Sequence, residues 1–153
     1  MTAYLWKTGF RAPVSAEVAG AEFERLERTG GLTPQRLVDA SEAEDAPMHK
    51  AFEWDDEKAG NEWRKQQARM LINHIEIKHL PTEKKKPIRI RAFMQPSVSA
   101  PYESTVTIMK DEEKRSAVFA MGMKMLKDFK RRYADLKEFA KIIDAIDELQ
   151  KGE

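Results

Sequence analysis

Ten lysines and arginines crowd one stretch of this 153-residue chain: Lys58, Arg64, Lys65, Arg69, Lys78, Lys84, Lys85, Lys86, Arg89 and Arg91. Only Glu62, Glu76 and Glu83 oppose them, so residues 58–91 net +7. The chemistry such a stretch offers is phosphate binding. Ammonium and guanidinium groups neutralise backbone phosphates and release their counterions. Immediately before it, residues 39–57 hold eight acidic side chains against the single Lys50, a net of −7. The whole chain carries only +1. The information is therefore in the charge distribution, which implies a polarised surface or self-complementary packing.

Other chemistries lack their residues. The three histidines, His49, His74 and His79, fit neither HExxH nor paired spacing on one helix face. His49 with Glu53 and Asp55 is too small a set, because zinc needs three or four convergent ligands. There is no cysteine, hence no disulfide, no thiolate nucleophile and no cysteine-ligated metal. GxSxG, GxxxxGK[ST] and GxGxxG motifs are all missing. The expectation is a protein that is not an enzyme and needs no cofactor. No apolar run approaches the ~20 residues of a membrane span, and the N-terminus lacks signal-peptide character. A cytoplasmic protein with no membrane partner is expected.

The elements that must position the cations begin with Ser15, which can cap a helix to about Thr29, with Val18, Ala19, Glu22, Phe23 and Leu26 as its stripe. Gly30-Gly31 ends it. Thr33-Pro34 opens a second helix, with Leu32 and Leu37 in staple spacing and Leu37 and Val38 inward, fading near Ser41. Residues 42–47 form an acidic loop and 48–52 a single helical turn. Asp55 is the expected N-cap of a helix from about Asp56 to Asn73, with Ala59, Trp63, Gln66, Met70 and Ile72 as its inner stripe. Phe52, Trp54 and Trp63 are expected in the core.

The apolar period then changes from helical to alternating. Residues 75–80, 88–95 and 102–109 read as strands of a two- or three-stranded antiparallel sheet, joined by a polar connection at 81–86 and a turn at 96–101. Arg89 and Arg91 oppose Ile88 and Ile90 and so share the solvent side. Residues 1–13 show no clear period and read as an ordered arm or short strand. Asp111 can cap a long helix with the stripe Val118, Gly122, Met125, Leu126, Phe129 and Tyr133. Asp135 and Glu138, in capping-box spacing, imply a break near Tyr133 and a last helix. Met121, Met123 and Met125 read as adaptable core packing. Ile142, Ile143, Ile146 and Leu149 make a stripe wider than a two-helix hairpin needs, so a homodimer through the C-terminal helices is expected.

The expected fold is α+β: an N-terminal helical module with a small antiparallel sheet over 1–110, and a C-terminal helical hairpin over 111–153, packed as one domain. Helix, helix, acidic turn, helix and basic hairpin is the order of a winged helix, whose third helix enters the major groove while the hairpin touches phosphates. The acidic start Asp55-Asp56-Glu57 would repel phosphates, which leaves the contacts to the ten cations.

Leu32-Thr33-Pro34, Pro47-Met48-His49, Phe52-Glu53-Trp54-Asp55-Asp56, Gln67-Ala68-Arg69 and Leu71-Ile72 together resemble small phage- and prophage-encoded proteins, most strongly over about residues 14–75. The resemblance implies a phage context and no site residues. The first expectation is a regulatory or DNA-binding protein that takes double-stranded DNA on its basic hairpin. The alternative is an assembly factor that binds a phage or host protein through its acidic loop or C-terminal helices.

Overall fold

Ser15 starts the first helix as its spacing implies. In the computed structural model, which describes residues 2–56, 58, 60–79 and 86–152, its hydroxyl accepts from the Val18 amide at 3.3 Å. Helix α1 spans Ala16–Arg28 and ends at Gly30 and Gly31, both with positive φ. Thr33 accepts from the Arg36 amide at 3.1 Å and caps α2, Pro34–Ala40. The Arg36 guanidinium reaches back to the carbonyls of Leu26 (3.0 Å) and Gly31 (2.6 Å), so one side chain joins both helices across the glycine corner. A 3-10 turn, His49–Ala51, follows the acidic loop.

Helix α3 is shorter than expected. It spans Asn61–His74, with Gly60 rather than Asp55 at its N-cap. The acids before it engage side chains instead of first-turn amides: Asp55 pairs with Lys58 at 3.1 Å and Asp56 with Arg64 at 3.0 Å. The later start also changes which face is inward. Ala68, Leu71 and Ile72 are buried, whereas Trp63 is 49% and Met70 48% exposed. Phe52 is buried and Trp54 half-buried, so of the three aromatics only Trp63 leaves the core. Arg64 lies four residues before Ala68 and therefore on the inner side of the helix.

Strand β1 (Tyr4–Trp6) pairs antiparallel with β2 (Ile75–His79), which pairs antiparallel with β3 (Ile88–Arg91), giving the sheet order β1-β2-β3. The third strand is thus the N-terminal arm and not residues 102–109. There only Glu103–Ser104 (β5) is extended, paired with Phe93–Met94 (β4). Thr105–Lys110 forms helix α4 because the Ser104 hydroxyl caps it, accepting from the Thr107 amide at 3.1 Å. Thr105 and Ile108 are buried at helical spacing, which overrides the β-branched alternation. Lys84, Lys85 and most of the 81–86 connection lie outside the described residues.

The core runs from Tyr4 through Phe23, Leu32, Leu37, Met48, Ile72 and Ile75 to Phe93 and Tyr102. Tyr4 is its N-terminal anchor. Its ring stacks 6.1 Å from Phe93, which meets Phe23 edge-on at 5.5 Å. Ile77 and Ile90 face inward with it, while Ile88 at the strand end is 47% exposed. Val18 is also exposed, and Glu22 of the same helix is buried with Arg25 at 2.6 Å.

Asp111 caps α5, Glu112–Tyr133, accepting from the Lys114 amide at 3.1 Å. A 3-10 turn (Lys137–Phe139) leads into α6, Ala140–Lys151. The break near Tyr133 is present, but neither Asp135 nor Glu138 caps it. Phe129, Tyr133 and Phe139 clamp the turn instead, with ring centroids 5.0 to 5.9 Å apart. Of the three methionines only Met123 is buried, and Met125 is 72% exposed. The architecture is α+β: N-terminal helices, small antiparallel sheets and a C-terminal helical hairpin. The winged-helix order is present, yet residues 41–60 separate α2 from α3, where a helix-turn-helix has three or four.

Gly20 tests the anchor. A Cβ there would sit 2.0 Å from the Tyr4 ring. Gly20→Ala is expected to destabilise by roughly 1–3 kcal/mol through overpacking against that ring, and urea melts followed by tryptophan fluorescence would measure it. An unchanged midpoint would mean that β1 does not hold the fold.

Candidate nucleic-acid interface

The sheet register decides which cations meet. Lys78 lies opposite Arg89 and Glu76 opposite Arg91, while Ile77 lies opposite both Ile90 and Tyr4. Directly opposed residues share a face. One face is therefore the apolar Tyr4, Ile77 and Ile90, and the other presents Lys78, Arg89 and Arg91 around Glu76. Lys78, Arg91 and Lys86, just ahead of β3, are exposed.

Arg89 has structural duties on this face. Its Nε lies 2.8 Å from a Glu76 oxygen, Nη1 donates to the Thr8 hydroxyl at 3.2 Å, and Nη2 donates to the Trp6 carbonyl. It fastens all three strands together and offsets the repulsion from Lys78 across the ladder. Lys78 and Arg91 are the side chains more available to a ligand.

The cations of α3 do not join this face. Arg64 has only 14% of its side chain exposed, lies 5.5 Å over the Trp54 ring and pairs with Asp56. It neutralises the acidic segment before the helix. Lys58 binds Asp55, and Lys65 binds Glu62 at 2.7 Å, which lowers the Glu62 carboxyl pKa. Arg69 is exposed and near Glu62. The basic surface is interrupted by carboxylates along α3 and concentrated on the sheet.

A second polar site was not foreseen. A hollow of about 270 Å³ lies between α1, the sheet and α4, lined by Tyr4, Glu24, Glu27, Arg28, Ser104 and Thr107 among others. The Tyr4 hydroxyl donates to Glu24 at 2.5 Å, and the Ser104 amide donates to Glu27 at 2.7 Å. Burial pushes the Glu27 carboxyl above its ordinary range, and the nearby Glu103 and Glu24 charges add to this. Burial, with the bond to Glu24, likewise raises the Tyr4 hydroxyl. Beside the hollow, Glu103 pairs with Lys114 at 2.7 Å. The i, i+3 spacing of Glu24 and Glu27 was visible in the sequence, but nothing local tied them to Tyr4 or to Ser104. Among the described residues no three or more His, Asp or Glu converge as a metal site.

A raised folded pKa means that the neutral form of Glu27 suits the fold. That contribution to stability is complete below the unfolded carboxyl pKa and is lost as pH rises through the folded value. Glu27→Gln keeps an acceptor for the Ser104 amide, so it is expected to raise Tm at pH 7, with the gain shrinking towards pH 4. Thermal melts across that range would check this. A lower Tm at pH 7 would show that the charged hydrogen bond outweighs burial.

Among the described residues no helix is long and apolar enough to cross a membrane. No family model, curated protein or solved structure matches this chain.

Proposed function

We propose that this chain is a non-enzymatic, phage-type DNA-binding or regulatory protein that contacts the phosphates of duplex DNA through the outer face of its three-stranded sheet. The observation that supports this is the register, which puts Lys78, Arg89 and Arg91 on one face with Lys86 at its edge. The interface is the sheet rather than a recognition helix. The start of α3 is acidic, and Arg64 and Lys65 are held by carboxylates. Binding of this kind is electrostatic and indifferent to sequence.

A second reading, a protein-interaction or assembly factor, is supported by two observations. Carboxylates interrupt the basic surface along α3, and the C-terminal hairpin leaves Phe119, Met125, Ile142 and Leu149 uncovered.

Anisotropy titrations of duplex DNA at several salt concentrations separate the two. Lys78→Ala with Arg91→Ala should lower the slope of log affinity against log salt by about 2, at about 0.9 per phosphate contact. Arg64→Ala should leave that slope unchanged while destabilising the fold by roughly 1–3 kcal/mol, since it leaves Asp56 and the Trp54 face without their cation. A wild type that binds no duplex at low salt would remove the DNA reading and leave the second.

A further inference from the structure

We propose that residues 7–11 of the N-terminal arm are a second phosphate-contacting element, and that Arg89 is the positioning residue that holds them beside the outer face of the sheet. This rests on the duplex-DNA reading above and extends the contact from the sheet to the arm.

The first observation is that the arm is built onto this face. The Lys7 amide donates to the His74 carbonyl at 2.7 Å, which carries the pairing of β1 with β2 one residue past Trp6. The Phe10 amide then donates back to the Lys7 carbonyl at 2.9 Å, with Gly9 at φ 85°. A reverse turn with positive φ at its third residue suits glycine. The Phe10 ring stacks on His74, and the Trp6 indole donates to the Val14 carbonyl at 2.9 Å. The segment is therefore fixed at both ends, although it has no helix or strand of its own. Arg89 ties it to the sheet. From β3 its guanidinium reaches the Glu76 carboxylate, the Thr8 hydroxyl and the Trp6 carbonyl, and the last two flank Lys7 in sequence.

The second observation is charge. Lys7 and Arg11 are exposed and make no ion pair among the described residues. No acidic residue precedes Glu17. The arm thus adds two cations beside a face whose opposed residues include one acid, Glu76, and Arg89 already pairs with it. Lys78, Lys86 and Arg91 are exposed on or beside that face as well. The Thr8 hydroxyl accepts from Arg89 and keeps its own proton to donate to a phosphate oxygen.

The arrangement selects an extended phosphodiester backbone. The arm continues from β1, while Arg91 stands on β3, and the outer strands of a three-stranded sheet lie about 10 Å apart. Cations spread over that width meet successive phosphates of one strand, which repeat about every 3.4 Å along the duplex axis. Arg89 acts through the arm. Its charge is offset by Glu76, so its part is to place Lys7 and Thr8 where the phosphates pass.

The test is duplex anisotropy of the full chain at several salt concentrations. Lys7→Ala with Arg11→Ala should lower the slope of log affinity against log salt by about 2, at about 0.9 per contact. The thermal midpoint should stay where it is, because both side chains are exposed. Arg89→Lys keeps the charge, but one ammonium cannot hold a carboxylate, a hydroxyl and a carbonyl together. It should lower the wild-type slope yet leave the slope of the Lys7→Ala, Arg11→Ala variant unchanged, because its effect exists only while the arm cations are present. A wild-type slope retained by Arg89→Lys would overturn the positioning role. Inorganic phosphate at matched ionic strength should not displace the duplex, and displacement would overturn the extended backbone as ligand. If Lys78→Ala with Arg91→Ala lowers the slope and Lys7→Ala with Arg11→Ala does not, the arm is overturned and the sheet reading stands. A wild type that binds no duplex at low salt would overturn the sheet reading and the arm with it.

Discussion

The seating of Tyr4 against Gly20 is the contact on which the rest of the body depends. A side chain larger than hydrogen at position 20 would occupy the space of the Tyr4 ring. With the ring in place, β1 lies along β2 and covers its edge, and the Lys7 amide donates to the His74 carbonyl at 2.7 Å. Trp6 then packs tilted against Phe10, and Phe10 stacks on His74 at 4.4 Å. The same ring meets Phe93, which ties the first strand to the segment after the hairpin. A strand of three residues has little stability of its own. What holds it is a matched aromatic in a glycine-lined notch.

Arginine does most of the joining between elements. Arg36 closes the end of α1 from α2, Arg64 bridges α3 to the Trp54 segment, and Arg89 binds one carboxylate and two groups of the N-terminal arm. A planar guanidinium can hold several fixed acceptors at once, which a lysine ammonium does less well. The consequence for function is direct. A count of basic residues overstates the charge available to a ligand, since Arg64 and Arg89 are committed within the fold. The lysines and arginines without such duties, Lys78, Lys86 and Arg91, set the character of the sheet face.

The body and the hairpin are stabilised differently. The main core extends from Tyr4 to Tyr102 and includes no residue of α5 or α6. The hairpin is held by an aromatic clamp at its turn, the Lys130–Asp147 pair and a thin apolar contact. Two helices with that little buried surface gain from covering the remainder. The basic face of the sheet and the exposed apolar residues of the hairpin occupy different parts of the chain.

Where structure is made by neighbours in sequence, the residues alone determined it. Ser15, Thr33 and Asp111 cap the helices they precede, and Gly30-Gly31 turns the chain, because caps and positive φ act within four residues. Strands β2 and β3 and the shared face of Arg89 and Arg91 also followed from alternation. Tertiary structure decided the rest. Asp55 has the character of a cap, but Asp55 and Asp56 took up Lys58 and Arg64, so α3 begins at Asn61 and turns Trp63 outward. Residues 105–110 have strand composition, but the Ser104 cap and the buried Ile108 make them a helix. The arm without a period became the third strand because Tyr4 found its notch in α1. The Glu24 and Glu27 hollow formed because α4, about 77 residues later, folded against α1 and brought the Ser104 amide to Glu27. Spacing encodes contacts a few residues apart. Contacts across the chain are fixed by which surfaces fit, and the fit of a ring to a glycine leaves no period to read.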